Sequence, residues 1–177
     1  MPAILLINGF PGIGKRAVAH ELVPLLPDAR VLDTRAAHHP EPHAALLEAV
    51  VRVLDSPAAP HTLAIPVFLS VRRADRAALL ELASLASTAG WAFVHVILCA
   101  STEAHVARAA AAGRASEDDL LLLRMEEEVA ALAPCPDLTA ELELDTTCLD
   151  ARATAAVLAQ YCDTLRREVC VQARPRP

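Results

Sequence analysis

The chain has 177 residues, of which 54% are hydrophobic and only 3% aromatic, so Ala, Leu and Val side chains have to supply the core of one domain. It contains no apolar run of about eighteen residues that could span a membrane. We expect no secretory signal, because the short apolar start lacks a basic leader. The net charge of -6 argues against broad nucleic-acid binding. The five cysteines form no C-x-x-C pair, which argues against a disulfide framework or a zinc site and predicts reduced thiols in a cytoplasmic protein.

The first predicted element is a strand from Ala3 to Asn8, because an unbroken apolar run is typical of a strand buried on both faces in a parallel sheet. The strand leads into the sequence G-F-P-G-I-G-K, from Gly9 to Lys15. A helix with one apolar face follows, to about Leu26. This order of strand, glycine loop and helix matches the G-x-x-x-x-G-K phosphate-binding loop, or Walker A motif, and a glycine-rich turn without a ligand is the alternative.

The loop carries the groups that a polyphosphate site needs. Its three glycines can adopt backbone angles closed to other residues, so that successive N–H groups point inward. The helix N-terminus adds about half a positive charge, and the lysine can reach the β- and γ-phosphates. The predicted nucleotide contacts in this segment are Gly9, Phe10, Pro11, Gly12, Ile13, Gly14, Lys15, Arg16 and Ala17.

Arg16 occupies the position directly after the loop lysine, where the motif has Ser or Thr. The missing hydroxyl weakens the usual magnesium contact, although magnesium keeps several waters and a water could replace it. A guanidinium about 4 Å from a phosphate gains about 4 kcal/mol at an effective dielectric of about 20, but it also repels magnesium. Alternatively, the Arg16 side chain lies along the helix surface, and the sequence leaves both arrangements open.

Strand and helix patterns alternate along the rest of the chain, which predicts an α/β fold, a parallel sheet covered by helices, in one domain over residues 1–172 with a frayed tail at 173–177. Pro66 is awkward inside a central strand. The later strands are predicted at Ala29–Leu32, Thr62–Leu69, Trp91–Cys99 and Glu141–Asp145. The later helices are predicted at His43–Leu54, Asp75–Thr88, from Ser101 or Thr102 to Ala112, from Ser116 to Leu132, and from a capping box of Thr147 and Asp150 to about Val171.

Asp33 follows the second predicted strand, at the edge of an open α/β sheet where ligands bind. A carboxylate there could orient magnesium through water or accept a proton from a substrate hydroxyl, and a turn aspartate that caps the next segment is the alternative. The third strand is followed by no carboxylate at the position of a Walker B acid. Asp75 comes later and is expected to start its helix, where the helix dipole favours a negative charge.

Several arginines could bind an anion. Arg108 and Arg114 flank an alanine-rich segment that would suit a mobile lid, and arginine binds phosphate through its bidentate fork. Solvated helix arginines paired with acids are the alternative, which we favour for Arg124. A cluster just after the third strand could bind an anionic substrate or could be a solvated helix start; its members are Arg72, Arg73 and Arg76.

The histidines give no specific metal signal. His38, His39 and His43 lack accompanying cysteines or carboxylates, so a surface loop on the substrate side of the sheet is the favoured interpretation. His95 lies within the fourth predicted strand, and we expect a hydrogen-bonded core histidine there. No Ser-His-Asp triad is indicated.

Taken together, these residues resemble the nucleoside and nucleotide kinase-like branch of the P-loop NTPases, and most closely its small AAA-type ATP-binding proteins that begin with a phrase like Ile7 to Lys15. The segment Leu144-Asp145-Thr146-Thr147 looks like the last-strand loop that borders adenine in these kinases. The resemblance implies a three-layer fold with a five-stranded parallel sheet, ATP as donor, magnesium, and an acceptor bound beyond Asp33. It makes Thr146 a further nucleotide contact, and its departures are Arg16 and the missing Walker B acid.

Three functions follow as hypotheses. The first is an ATP-dependent phosphotransferase, a kinase of a small molecule, in which Lys15 stabilises the transferring charge, Asp33 positions magnesium or the acceptor, and Arg108 and Arg114 close over the phosphates. The second is a nucleotide-binding module without turnover, in which Arg16 substitutes for the metal. The third is a P-loop fold without a ligand that serves as an interaction protein. The acceptor and the oligomeric state are not predicted.

Overall fold

The computed structural model describes residues 1–33, 42–69, 72–111 and 140–172, and these residues contain a five-stranded parallel sheet. The order of the strands is β2-β3-β1-β4-β5, so β1 lies at the centre between β3 and β4. In a parallel sheet all carboxyl ends meet at one edge, and ligands bind there where the strand order reverses. The loop after β1 lies at that point. The strands are β1 (Ala3–Gly9), β2 (Ala29–Val31), β3 (Thr62–Pro66), β4 (Ala92–Cys99) and β5 (Ala140–Asp145).

Five helices are present in the described part of the chain. The helices are α1 (Lys15–Leu22), α2 (Pro42–Leu54), α3 (Arg73–Thr88), α4 (Thr102–Ala111) and α5 (Ala151–Gln172). A short 3-10 turn, Val23–Leu25, continues α1, which accounts for a predicted helix end near Leu26. The alternation of strands and helices expected from the sequence is confirmed as a three-layer α/β/α fold.

The two faces of the sheet carry separate apolar cores because successive side chains of each strand point to opposite sides. One core joins the sheet to α1 and α5, and the other joins it to α2 and α3. Members of the first core include Leu5, Ile7, Val94, Val96, Val18, Leu22 and Leu158. Members of the second include Ile4, Leu6, Leu63, Ile65, Phe93, Leu46, Val50 and Leu82.

The sheet accommodates Pro66 because this residue is the last of β3 and faces β2, which is a short strand. The N–H of Val67 donates to the carbonyl of Ile7 in β1 (2.9 Å), whereas the N–H of Leu32 donates to the carbonyl of Ala64 (2.9 Å). Alternate residues of β3 therefore face β1 and β2. The nitrogen of Pro66 faces the β2 side, beyond the point where β2 ends, so no ladder hydrogen bond is lost. The strand is correspondingly shorter than predicted.

The predicted helix starts are partly right. The Ser101 hydroxyl accepts from the N–H of Ala104 (3.2 Å), which confirms Ser101 as the residue that begins α4. At the start of α5 the carboxylate of Asp150 accepts from the N–H of Ala153 (2.7 Å). The prediction of Thr147 as the cap is wrong, because its hydroxyl donates instead to the carboxylate that ends β5 (2.6 Å).

Some predictions fall outside the described residues. The helix predicted from Ser116 to Leu132 and the tail at 173–177 are among them. Within the described ranges, no helix has the length and apolar character needed to cross a membrane.

Candidate phosphate-binding site

The glycine loop at the carboxyl end of β1 has the backbone that its sequence predicts. Gly9, Gly12 and Gly14 have φ values of 142°, 96° and 105°, in a region that residues with a Cβ rarely adopt. A Cβ on Gly9 would lie 2.6 Å from the carbonyl oxygen of Leu98 in β4. The loop is therefore packed directly against the neighbouring strand, and Gly9 has no room for a side chain.

Gly9→Ala is expected to lower the free energy of unfolding by about 2 to 4 kcal/mol, because it combines a positive φ with a backbone clash. Gly90→Ala is the matched control. Gly90 has a φ of 74°, and a Cβ there would meet nothing within 4 Å, so it should cost about 1 kcal/mol. Denaturant unfolding of both variants measures the difference. Equal costs would contradict the packing described at Gly9.

Lys15 is held against its own loop. Its side chain is 7% exposed, and its Nζ donates to the carbonyls of Gly9 (2.5 Å) and Phe10 (2.7 Å). The ammonium also lies 5.9 Å from the ring centroid of Phe68, within the range of a cation–π contact. A cation buried among carbonyl dipoles at the mouth of the loop is placed to exchange these partners for phosphate oxygens.

The N-terminus of α1 faces the same loop. Gly14 is its N-cap, and no described side chain caps the helix. Because glycine brings no side chain to the cap, the start of α1 has the form that binds anions at a helix N-terminus. A cavity of about 180 Å³ opens beside Gly12, Ile13 and Gly14 and extends to Arg108 and Thr146.

Arg108 lies at the other end of this cavity and holds the loop after β5. Its guanidinium donates to the hydroxyl of Thr146 (3.0 Å) and to the carbonyls of Thr146 and Leu149 (3.0 Å for Leu149). All of these partners are neutral oxygens, and Arg108 makes no ion pair within the described residues. Asp150 also lines the cavity, and hydrogen bonds from Thr147 together with the charge of Arg108 lower the pKa of Asp145. A role of Arg108 in binding an anion stays a prediction.

Thr146, a predicted nucleotide contact, is held by hydrogen bonds within the protein. It is 2% exposed, and its hydroxyl donates to the carbonyl of Cys99 (2.9 Å) while it accepts from Arg108. Thr146 lines the cavity, but its polar atoms are used within the protein. A direct contact with a nucleotide stays a prediction, and the hydrogen bonds make Thr146 the residue that orients Arg108.

His105 and Phe68 support the loop together with Phe10, and of these three side chains the sequence predicts only Phe10 as part of the site. His105, on α4, is 2% exposed, and its Nε2 donates to the carbonyl of Pro11 (3.0 Å). The Phe10 ring lies 6.1 Å from the His105 ring and 6.0 Å from the Phe68 ring, centroid to centroid. A signal was available, since His105 precedes Arg108 by three residues and shares its helix face.

Arg16 and Asp33 form an ion pair. The side chains are 42% and 32% exposed, so the pair joins the first turn of α1 to the end of β2 at the surface of the site. Neither of the two arrangements considered for Arg16 describes this fully, because the guanidinium stays at the carboxyl edge of the sheet and has a carboxylate partner. Asp33 binds Arg16 in this structure, and its expected role toward magnesium or an acceptor stays a prediction.

The residues of the site do not fit a magnesium ion held by the protein. Arg16, a cation, occupies the position where the motif has a hydroxyl residue, and Asp33 is paired with it. No acid follows β3 directly. Asp75 lies in the first turn of α3, as expected, and binds His43 of α2 (2.6 Å). Within the described ranges no three His, Cys, Asp or Glu side chains come together as a metal group.

The other predicted site residues have mixed outcomes. Ile13 and Phe10 are buried, whereas Ala17 is exposed. Arg73 and Arg76 are exposed at the start of α3, and their role stays a prediction. Outside the described residues lie Arg114, Arg124, His38 and His39.

No protein-family model matches the chain, and no curated protein matches it significantly. Solved structures do match. The tunicamycin resistance protein of Deinococcus radiodurans has a TM-score of 0.64 at 21% identity, over 92% of this chain and 96% of that chain. A sugar kinase from Janibacter sp. HTCC2649 has a TM-score of 0.60 at 15% identity, over 92% of this chain and 95% of that chain. A gluconokinase from Sinorhizobium meliloti 1021 has a TM-score of 0.53 at 18% identity, over 92% of this chain and 97% of that chain. At these identities the likeness shows a shared fold, which is P-loop kinase-like.

Proposed function

We propose that this protein binds ATP and transfers its γ-phosphoryl group to a small-molecule acceptor in the cytoplasm. The observation that carries the proposal is the glycine loop itself, whose positive-φ glycines, buried Lys15 and adjoining N-terminus of α1 lie together. The cavity beside the loop is lined by Gly12 and Gly14 and, among charged residues, by Arg108 and Asp150. The kinase-like fold of the solved structures named above supports the same class of reaction.

The chain's own residues would stabilise the transfer by charge and position. The glycine loop would surround the β-phosphate with N–H groups, and Lys15 would exchange its carbonyl partners for oxygens of the transferring group. Arg108, which lines the cavity together with Thr146, would close over the phosphates. Because the residues do not fit a bound magnesium ion, we assign the countercharge to Lys15, Arg16 and Arg108. Arg114 stays a proposed lid residue.

Asp33 would position the acceptor. Its carboxylate lies at the sheet edge beyond the loop, where an acceptor hydroxyl would need a hydrogen-bond acceptor. In the structure it binds Arg16, so this role requires the ion pair to open or to share the carboxylate with the substrate. The requirement is specific to this chain, because the motif has an uncharged hydroxyl residue at position 16.

A second candidate, nucleotide binding without turnover, is favoured by that same ion pair. If Arg16 keeps Asp33 occupied when ATP is bound, the acceptor has no positioning carboxylate and no phosphoryl transfer follows. A transfer assay separates the two. Purified protein is incubated with γ-labelled ATP and a panel of small hydroxyl and phosphate acceptors, and label in the acceptor supports the kinase. ATP binding without transfer or release of the label supports the second candidate, and absence of ATP binding supports an interaction protein.

Arg108→Gln is expected to weaken ATP binding by about tenfold, because a hydrogen bond to a charged group contributes about 1.5 to 3 kcal/mol. Arg167→Gln, which changes an exposed arginine far along α5, is the control and should leave the affinity unchanged. Calorimetric titration with ATP measures both. An equal effect of the two substitutions would show that Arg108 acts only through the net charge of the protein.

A further inference from the structure

A buried amide directly beneath the glycine loop has all four of its hydrogen-bonding positions filled. Asn8 is 0% exposed. Its Oδ1 accepts from the N–H of Gly9 (2.8 Å) and from the N–H of Leu69 (2.9 Å). Its Nδ2 donates to the carbonyl of Leu69 (2.9 Å) and contacts Nε2 of His95 (3.3 Å). The amide therefore joins the start of the loop to the segment after β3.

These partners fix the orientation of the amide and the tautomer of the histidine. Rotating the Asn8 amide by half a turn would place its NH₂ against two backbone N–H groups, so Oδ1 has to face them. Nδ2 is then a donor toward His95, and Nε2 of His95 has to be an unprotonated acceptor. The proton of the neutral ring lies on Nδ1, which donates to Oε2 of Glu141 (3.0 Å). A continuous set of hydrogen bonds thus runs from β5 through β4 to β1.

The two backbone segments that Asn8 joins both lie against Lys15, because the carbonyl of Gly9 accepts from its ammonium and the ring of Phe68 lies near it. Gly9 begins the loop, and Leu69 follows Phe68, whose ring contacts Phe10 and lies near the ammonium of Lys15. A shift of either segment changes the distance between the loop amides and that ammonium. We propose that His95 is a positioning residue. It acts through Asn8 to hold the glycine loop and the segment after β3 at the distance from each other that nucleotide binding requires. This inference rests on the proposed function.

The arrangement depends on the protonation of His95. If Nε2 of His95 gained a proton, two hydrogen-bond donors, the Nε2–H and the NH₂ of Asn8, would face each other at 3.3 Å, and the hydrogen bond between them would be lost. Burial lowers the pKa of His95 from its usual 6.5, and the hydrogen bond and charge of Glu141 oppose that shift in part. The ring is therefore neutral above about pH 6.5 and gains its proton only at a lower pH. ATP affinity should fall as the pH decreases through that lower range.

Other ionisable groups among the described residues lie on this side of the sheet, including the pair of His43 and Asp75 that joins α2 to α3. Glu143 and Cys99 lie farther along β5 and β4 and contact each other at 3.7 Å, and burial and the neighbouring Glu143 and Asp145 carboxylates raise the pKa of the Cys99 thiol to about 11. The thiol is therefore neutral in this pH range. From α2 and α3 the same face receives apolar side chains, among them Leu46 and Leu82.

Two isosteric substitutions separate positioning from simple packing. His95→Gln places a carbonyl oxygen at the reach of Nε2, so it keeps an acceptor for Asn8. His95→Asn reaches only as far as Nδ1, so it keeps a partner for Glu141 but leaves one of the two N–H groups of the Asn8 amide without an acceptor. At pH 7.5 we expect ATP affinity close to wild type for His95→Gln and about tenfold weaker for His95→Asn. As the pH is lowered below 6.5, wild type should lose affinity relative to His95→Gln, which cannot gain the proton.

The experiment is a calorimetric titration of the three proteins with ATP at pH 7.5 and at a series of values below pH 6.5, down to the pH at which wild type begins to unfold, with unfolding measured in parallel. Equal affinities of the two variants, or equal pH dependence of wild type and His95→Gln, would overturn the inference. Absence of ATP binding by wild type at pH 7.5 would instead overturn the proposed function and the inference with it. If His95→Asn does not fold, the ¹⁵N shifts of the His95 ring in wild type decide: a proton on Nδ1 supports the network, and a proton on Nε2 contradicts it.

Discussion

Replacing Lys15 with alanine is expected to weaken ATP binding by about 10- to 100-fold, since a hydrogen bond between an ammonium and a phosphate contributes about 1.5 to 3 kcal/mol. The fold should survive, because Lys15 lies at the mouth of the loop and its partners are carbonyls of Gly9 and Phe10 that water can replace. Calorimetric titration gives the affinity, and denaturant unfolding gives the stability. Unchanged ATP affinity would contradict the assignment of this loop as the phosphate site.

The composition of the chain offers an independent check on Lys15. It is the only lysine among the 16 Lys and Arg residues, so every other side-chain cation is an arginine. A compact ammonium reaches into a narrow loop where a planar guanidinium does not fit. An amine-directed reagent can therefore modify only Lys15 and the terminal amine. ATP should protect Lys15 and leave the terminal amine reactive, and equal protection of both would show that ATP acts elsewhere.

Replacing Arg16 with serine is expected to make ATP binding depend on magnesium. The substitution removes the cation beside the phosphates, frees Asp33 from its ion pair, and restores the hydroxyl that the motif uses as a metal ligand. Wild type should bind ATP with similar affinity in magnesium and in EDTA. In the Arg16→Ser variant magnesium should strengthen binding by about tenfold, because the metal then supplies the lost countercharge.

Asp33→Asn is the matched control for this result. It breaks the same ion pair but keeps the guanidinium at position 16 and adds no hydroxyl, so it should not create magnesium dependence. If the two substitutions behave alike, the effect comes from loss of the ion pair rather than from the identity of residue 16. If neither creates magnesium dependence, the assignment of Arg16 as the substitute for the metal is wrong.

The sequence predicts the fold and the loop well because both depend on local patterns. The apolar run before Gly9, the spacing of the glycines and the period of the helices follow from the residues themselves, and they lead to the observed sheet. The strand with Pro66 is shorter than predicted, because its end is set by the length of β2, which is a property of the neighbour and not of the segment.

The contacts of the site are less predictable because they join residues far apart in the chain. Arg108 was expected at the phosphates, but its position depends on the carbonyls of Thr146 and Leu149, which only the turn after β5 brings to α4. The ion pair between Arg16 and Asp33 depends in the same way on how β2 ends beside α1. No pattern within one element encodes such a pairing.

For His95 the sequence predicts the burial of the side chain but not the identity of its hydrogen-bond partner. An alternating position within an apolar strand predicts a buried histidine with hydrogen-bond partners, and this is confirmed. That its partner is the amide directly before the glycine loop requires the register of β1 and β4, which pairs Leu6 with His95. Register is a property of the assembled sheet.

The most direct test of the account is one calorimetric titration of the wild-type protein with ATP, carried out in magnesium and repeated in EDTA. The account predicts binding at one site with similar affinity in both conditions, because Lys15, Arg16 and Arg108 supply the countercharge. Absence of binding in both conditions would contradict the nucleotide site itself. Binding that is lost in EDTA would contradict the role given to Arg16.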